Sequence, residues 1–243
     1  VNSEKEPQDL EASLRPELDE ALLGLDELAA ENPEEALSMF ETLPEPVQAM
    51  AEFQLVLARC HQSLEQLEVA RDLAMGVLAK DDTQADAHHL LADLLEDLGD
   101  ESGANEHFLT TLKLDRKSFE ETSTLSDEEL LSRLTKVLAS TMDSLPEEVR
   151  SRIVAATHKV ELFPTEADVK AGLDPRALSH FDESAKTEVL TLFAANLDAE
   201  YGDLDEFDEF LPHVRATIVQ EIVDHLGLDA AESERLGLAS EDD

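Results

Sequence analysis

The sequence predicts a mainly α-helical protein in two parts, an N-terminal stack of helical hairpins and a small C-terminal α+β domain. Three observations carry this prediction. Small and apolar residues recur with a period of 34 across residues 17–118. A serine followed by acidic residues, Ser126-Asp127-Glu128-Glu129, then opens a fresh amphipathic helix. Further on, the short apolar run Val189-Leu190-Thr191-Leu192-Phe193 has strand character and precedes a second helical stretch that ends at Gly227. At 243 residues, 42% of them hydrophobic, the chain can supply two cores despite its low aromatic content.

Taken in order, the largely polar residues 1–15 are expected to be a disordered tail. Residues 16–118 hold the three copies, 17–50, 51–84 and 85–118. Overlaying them aligns Leu23, Leu57 and Leu91, then Gly24, Ala58 and Ala92. Later columns align Ala36, Ala70 and Ala104, then Phe40, Ala74 and Phe108. Unrelated amphipathic helices are the alternative, but four columns over three copies at an unbroken spacing are hard to obtain from Leu and Ala frequencies alone. The pattern resembles the tetratricopeptide repeat, with a large-small pair on the first helix and small or aromatic packing positions on the second. Pro33 suits a first helical position and Gly99-Asp100 an inter-helix turn. Departures are Glu27, His61 and Leu95 at a position often Tyr in the family, and Gln48, Asp82 and Arg116 at the closing Pro.

Three stacked units are about the minimum that buries each apolar face against a neighbour. Such stacks present a concave face that binds an extended peptide or a helix. Its predicted lining is Glu52, Leu55, Arg59 and Gln62 from the second copy, with Asp86, His89, Asp93 and Glu96 from the third. That lining is mostly acidic, which favours a basic or polar peptide over an acidic one. Solvated helix faces are the plainer explanation of the same residues. His88, His89 and His107 are read as structural: no cysteine or further histidine stands at ligand spacing beside them. Cys60 is the only cysteine, so no intrachain disulfide forms, and it is read as a small packing residue.

Residues 119–125 are predicted to be a linker, and residues 126–240 the second domain, opened by Leu130, Leu131, Leu134, Val137 and Leu138 at helical spacing. Next come Ser144-Leu145-Pro146-Glu147-Glu148-Val149-Arg150, an apolar segment at 160–163, Gly172-Leu173-Asp174-Pro175-Arg176-Ala177-Leu178, and the strand-like run. The acidic stretch 198–209 is read as a loop or short helix, with Tyr201 in a packing role. Gln220-Glu221-Ile222-Val223-Asp224-His225-Leu226-Gly227 closes the series and has the frame H-E-x-x-H-x-x-G. In the intact motif two histidines on one helix face hold zinc, while the glutamate acts as general base on metal-bound water.

From about residue 124 to 238 the chain resembles the minimal matrix-metalloprotease-like, zincin-like metallopeptidase family. That resemblance implies zinc ligands at 220, 224 and 230. Gln220, Asp224 and Ala230 stand there instead, so these are vestigial ligand positions and Glu221 is a vestigial general base. Gly227 suits a helix C-terminus. His213 lies seven residues before Gln220, roughly 10 Å along a helix, too far to chelate jointly with Asp224. His225 points about 100° away from that position. The favoured reading is a non-catalytic interaction or scaffold protein with a pseudo-peptidase domain and no cofactor. The rival is a metal-dependent hydrolase that has rebuilt a site from Glu221, Asp224 and Asp229, whose oxygens suit hard cations better than zinc.

Charge bounds the partners. The formal net charge is −40, from 18 basic and 58 acidic residues. Up to Ser118 there are 8 basic and 28 acidic residues, and beyond it 10 and 30, so the acidity is global. Nucleic acid is disfavoured because phosphate contacts need clustered Lys and Arg. A protein or peptide partner is expected, with no membrane span and no signal segment, and by default a cytoplasmic location. Acidity of this extent fits a saline environment in which counterions screen self-repulsion. The expected outcome is unfolding on transfer to low salt, followed by circular dichroism; a melting temperature independent of salt would leave solubility as the only role of the charge.

Overall fold

In the computed structural model the described residues are 7–123, 125–153, 156–182, 188–201 and 207–238, with side chains described outside 7–17 and 207–209. The helical part opens with α1 (Pro7–Glu31) and α2 (Pro33–Thr42), followed by the short α3 (Glu45–Gln48). Two further hairpins are α4 (Ala51–Ser63) with α5 (Leu67–Leu78), and α6 (Ala85–Asp97) with α7 (Glu101–Thr122). Second helices therefore begin at 33, 67 and 101, and the later first helices at 51 and 85, each step being the 34-residue period. Asn32 caps α2 by accepting from the Glu35 backbone N–H, and Pro33 occupies the first helical position, where no N–H is needed.

Packing follows the small columns. Ala36 and Ala70 are 0% exposed and Ala104 1%, with Phe40, Ala74 and Phe108 buried one turn later. One core joins Leu25, Ala29, Ala36, Phe40, Phe53, Val56 and Cys60 from α1, α2 and α4. A second joins α4, α5 and α6 through Leu55, Ala58, Ala70, Ala74, Val77, Leu90, Leu91 and Leu94. Burying a Leu or Phe in such a core contributes about 1.5–3 kcal/mol. Burial pushes the Cys60 thiol up, as fits a packing residue.

Two expectations need correction in this part. Residues 7–15 are helical and begin α1, in a stretch of sequence where leucines at 10, 14 and 18 recur at a helical period; residues 1–6 lie outside the described residues. In the first copy, Leu23 is 61% exposed and Gly24 is also exposed, so the large-small column fails there. Instead α1 buries Leu25 and Ala29, a different helical phase from α4 and α6.

Division into two compact units falls between Leu114 and Asp115, inside α7. The segment predicted as a linker is thus helical to Thr122. Phe119 packs edge-on against Phe163, with ring centroids 5.6 Å apart, which gives the end of α7 an apolar anchor. Arg116 donates to the Pro164 carbonyl at 2.7 Å, and Asp115 accepts two bonds from Arg176, at 2.8 and 2.9 Å.

The second unit continues with α8 (Asp127–Ser144), capped by Ser126, and α9 (Glu147–Arg152). Then come β1 (Thr157–Glu161), α10 (Glu166–Lys170), β2 (Ser179–Asp182) and β3 (Val189–Phe193). The chain ends with α11 (Ala194–Tyr201), α12 (Phe207–Leu226) and α13 (Ala230–Leu236). Of the acidic stretch 198–209, residues 198–201 finish α11, 207–209 begin α12, and 202–206 lie outside the described residues. The sheet order is β1-β3-β2, with β1 parallel and β2 antiparallel to the central β3. Leu190 and Leu192 of β3 are 0% exposed, which explains the apolar run in the sequence. They share a core with Phe181, with Leu134 and Leu138 of α8, and with Val214, Ile218 and Ile222 of α12. Arg235 of α13 donates to both carboxylate oxygens of Glu148 on α9, holding that carboxyl below the ordinary range.

The turns of the second and third hairpins repeat as closely as their helices do. Glu65 and Gly99, 34 residues apart, have φ of 59° and 81°. Each turn closes with the same pair of bonds, Glu65 N–H to Gln62 C=O and Gln66 N–H to His61 C=O, then Gly99 N–H to Glu96 C=O and Asp100 N–H to Leu95 C=O. A β-carbon at such a φ costs about 1–2 kcal/mol, part of which glycine loses again through chain entropy. Glu65→Gly is expected to raise stability by about 1 kcal/mol and Gly99→Ala to lower it by about as much, measured by urea denaturation.

Candidate functional site

Two places hold the predicted site residues, one in each unit. In the first unit α1, α4 and α6 line a groove of about 330 Å³. Its apolar floor is Leu22, Leu23, Leu55 and Val56, with the carboxylates of Asp19, Asp26, Glu52 and Asp86 around it. Arg59 is the single basic residue among the lining, and its guanidinium donates to Asp26 at 2.7 Å. Both members of that ion pair remain more than 40% exposed, so it contributes at most about 1 kcal/mol and can be exchanged for contacts with a partner.

Of the eight residues predicted for the concave face, Glu52, Leu55, Arg59 and Asp86 line this groove. The other four do not. Gln62 donates to Asp97 on the neighbouring first helix, at 3.1 Å. His89 lies 3.4 Å from Asp93 on its own helix and meets Phe108 edge-on, while Glu96 is exposed toward the α6–α7 turn. Sequence reasoning missed Asp19, Leu22, Leu23 and Asp26, because the repeat register assigns α1 the wrong phase. The available signal was Leu25 at the column that holds Arg59 and Asp93 in the other copies: an apolar residue there turns the helix, at about 100° per residue, and brings different neighbours to the groove.

In the second unit α12 carries residues 220–226 of the Gln220–Gly227 segment. Val214, Ile218 and Ile222, spaced by four, are all 0% exposed and set the inward face. Glu221 and His225 flank that stripe and meet β2. Ser179 Oγ donates to Glu221 at 2.6 Å, and the His225 ring stacks on Phe181 with centroids 3.6 Å apart and planes 8° from parallel. Nε2 of His225 lies 3.7 Å from a Glu188 carboxylate oxygen.

Gln220 and Asp224 fall on the exposed side of the same helix, where the Gln220 amide donates to Asp224 at 2.9 Å. Ala230 is the first residue of α13 and offers no ligating side chain. Asp229 caps α13 by accepting from the Glu232 N–H at 2.8 Å. Glu221, Asp224 and Asp229 are thus engaged with three different partners. This donor set does not fit zinc: Gln220 and Asp224 are an amide and a carboxylate bonded to each other, and Ala230 has no donor. Among the described residues, no group of three or more His, Cys, Asp or Glu converges as a metal site.

The remaining residues singled out in the sequence have packing partners. Gly227 has φ 60° and ends α12, with Leu228 N–H donating to Val223 C=O. His213 stacks on Tyr201, whose hydroxyl is 2.8 Å from Thr217 Oγ1. A further cavity of about 270 Å³, lined by Arg116, Phe119, Glu120, Asp127, Leu162 and Phe163, contains none of the predicted site residues. Among the described residues no helix is long and apolar enough to cross a membrane.

Separate roles for the two sides of α12 make a contrast in stability. Ser179→Ala leaves the half-buried Glu221 carboxylate without its donor and is expected to cost about 1–2 kcal/mol. Gln220→Ala, on the solvent side, is expected to stay within about 0.5 kcal/mol. Chemical denaturation of both variants checks the contrast, which equal losses would contradict. No protein-family model, no curated protein and no solved structure matches this chain, so the tetratricopeptide-like and zincin-like readings rest on its own residues and their geometry.

Proposed function

We propose that this chain is a non-catalytic interaction protein, in which tetratricopeptide-like hairpins hold a peptide and a zincin-like domain without zinc ligands serves as scaffold. The groove of the first unit carries the reading. Leu22, Leu23, Leu55 and Val56 offer apolar contact, and four carboxylates against one arginine select for positive charge. At about 330 Å³ the groove accommodates a few side chains, the scale of a short linear motif. The favoured partner is therefore an extended segment in which Lys or Arg alternates with aliphatic residues. In the second unit, the Gln220–Asp224 bond and Ala230 support the loss of metal chemistry.

A fluorescein-labelled peptide of alternating Lys and Leu serves as probe, with a Glu/Leu peptide as control, in buffer salty enough to suppress unspecific charge attraction. Leu23→Lys with Glu52→Lys, both in the groove, is expected to weaken binding at least about tenfold, whereas Glu234→Lys on α13 leaves it unchanged. Equal weakening by both, or no binding, would sink the peptide-groove reading. Elemental analysis tests the second unit: no divalent metal at stoichiometry and no chelator effect on melting are expected. Bound metal that is lost in Asp224→Ala would restore the hydrolase reading.

A further inference from the structure

His88 and His107 face each other between α6 and α7 and take no part in the groove. Their Nδ1 atoms are 2.7 Å apart, the ring centroids 5.0 Å, and the planes 33° from parallel. Two imidazole nitrogens at that separation share a hydrogen bond only while one carries a proton and the other a lone pair. The second nitrogen of His88 decides which. Its Nε2 lies 3.1 Å from the Asp82 carbonyl oxygen, which can only accept. Nε2 therefore carries the His88 proton, His88 Nδ1 is the acceptor, and His107 Nδ1 is the donor. The resulting chain ties the loop before α6 to α6, and α6 to α7, at a site where His88 is only 9% exposed.

The shared bond needs a lone pair on one of the two facing Nδ1 atoms. With both rings charged, N–H faces N–H and two positive rings are in contact. We propose that the His88–His107 pair is a pH-operated latch, closed at neutral pH and released in mild acid, which loosens the α6–α7 hairpin while the α4–α5 hairpin stays folded.

The surroundings offer little to offset the added charge. On α7, Glu106 acts on His107 and opposes the larger effects. On α6, His89 is turned to Asp93 and Phe108. Packed against α6, α5 contributes Ala70, Ala74 and Val77, and α4 contributes Leu55 and Ala58. In the loop 81–84, the Asp81 carboxylate is engaged by Thr83 and Gln84, leaving the Asp82 carbonyl as the contact to His88. Burial first, and then the charge of His88, hold the His107 imidazole below the ordinary histidine value of 6.5. A histidine with a depressed folded-state pKa contributes stability that is fully present above the unfolded value and is lost as pH falls through the folded one. The window of release is therefore below 6.5.

Hydrogen exchange on the full chain in high salt tests the latch, between about pH 7.5 and about pH 5.5, corrected for intrinsic exchange. Protection of α6 and α7 amides is expected to fall about tenfold or more while that of α4 and α5 holds, and H88L/H107L is expected to abolish the drop. No drop, a drop spread evenly over α4–α7, or a drop that persists in the double variant would overturn the proposal. Should that variant fail to fold, ring-nitrogen NMR of the unmodified protein decides. Both rings charged at about pH 5.5 together with lost protection of α6 and α7 supports the latch. Both rings charged with the hairpin still protected refutes it.

Discussion

Close approach of helices at Ala36, Ala70 and Ala104 is the constraint on which the first unit depends. These positions are essentially without solvent contact, and each is the fourth residue of its helix, so a side chain longer than a methyl would hold the crossing helices apart. With the crossings set, the spacing of every later element follows. Second helices start 34 residues apart, the large residues Phe40 and Phe108 fill the space one turn on, and the turns at Glu65 and Gly99 adopt the same left-handed geometry. Glu65 tolerates a backbone conformation that suits glycine because two hydrogen bonds and the packed helices around it over-determine the turn.

In the second unit the corresponding constraint is the phase of α12. Val214, Ile218 and Ile222 must face the core, and that requirement alone sends Glu221 and His225 toward β2 and Gln220 and Asp224 toward solvent. Chemistry is then decided by partners. A carboxylate held by Ser179 and an imidazole lying flat on Phe181 act as packing and hydrogen-bonding groups, and the exposed pair is satisfied within itself. The same logic governs the histidines of α6 and α7: burial and a fixed tautomer turn two ordinary residues into a proton-sensitive contact.

Acidity runs through both units, and its effect depends on where the carboxylates sit. Most are on solvated faces, where ion pairs such as Lys117–Glu121 and Lys170–Glu166 are worth little. Those at the groove stand beside apolar side chains, where screening by water is weaker. The global surplus of negative charge is thus mostly solvated and, at one place, set beside an apolar floor.

Much of the architecture was legible in the sequence, because period, cap and turn chemistry are local. Pro33 after Asn32, Gly99, the Ser126 cap, and the apolar run of β3 are each dictated by neighbouring residues along the chain. That Gln220, Asp224 and Ala230 offer no zinc-binding set could be read the same way. By contrast, β2 was invisible, since Ser179-His180-Phe181-Asp182 has one apolar residue and is a strand only because β3 pairs with it. The helical end of α7 depends on Phe163 and Arg176, distant in sequence. The phase of α1, and with it half the groove, is set by which face packs on α2 and α4. Helical periodicity determines that a face is buried; only the neighbouring element decides which of two adjacent faces it is, because a shift of one residue changes the local pattern little and turns every side chain by about 100°.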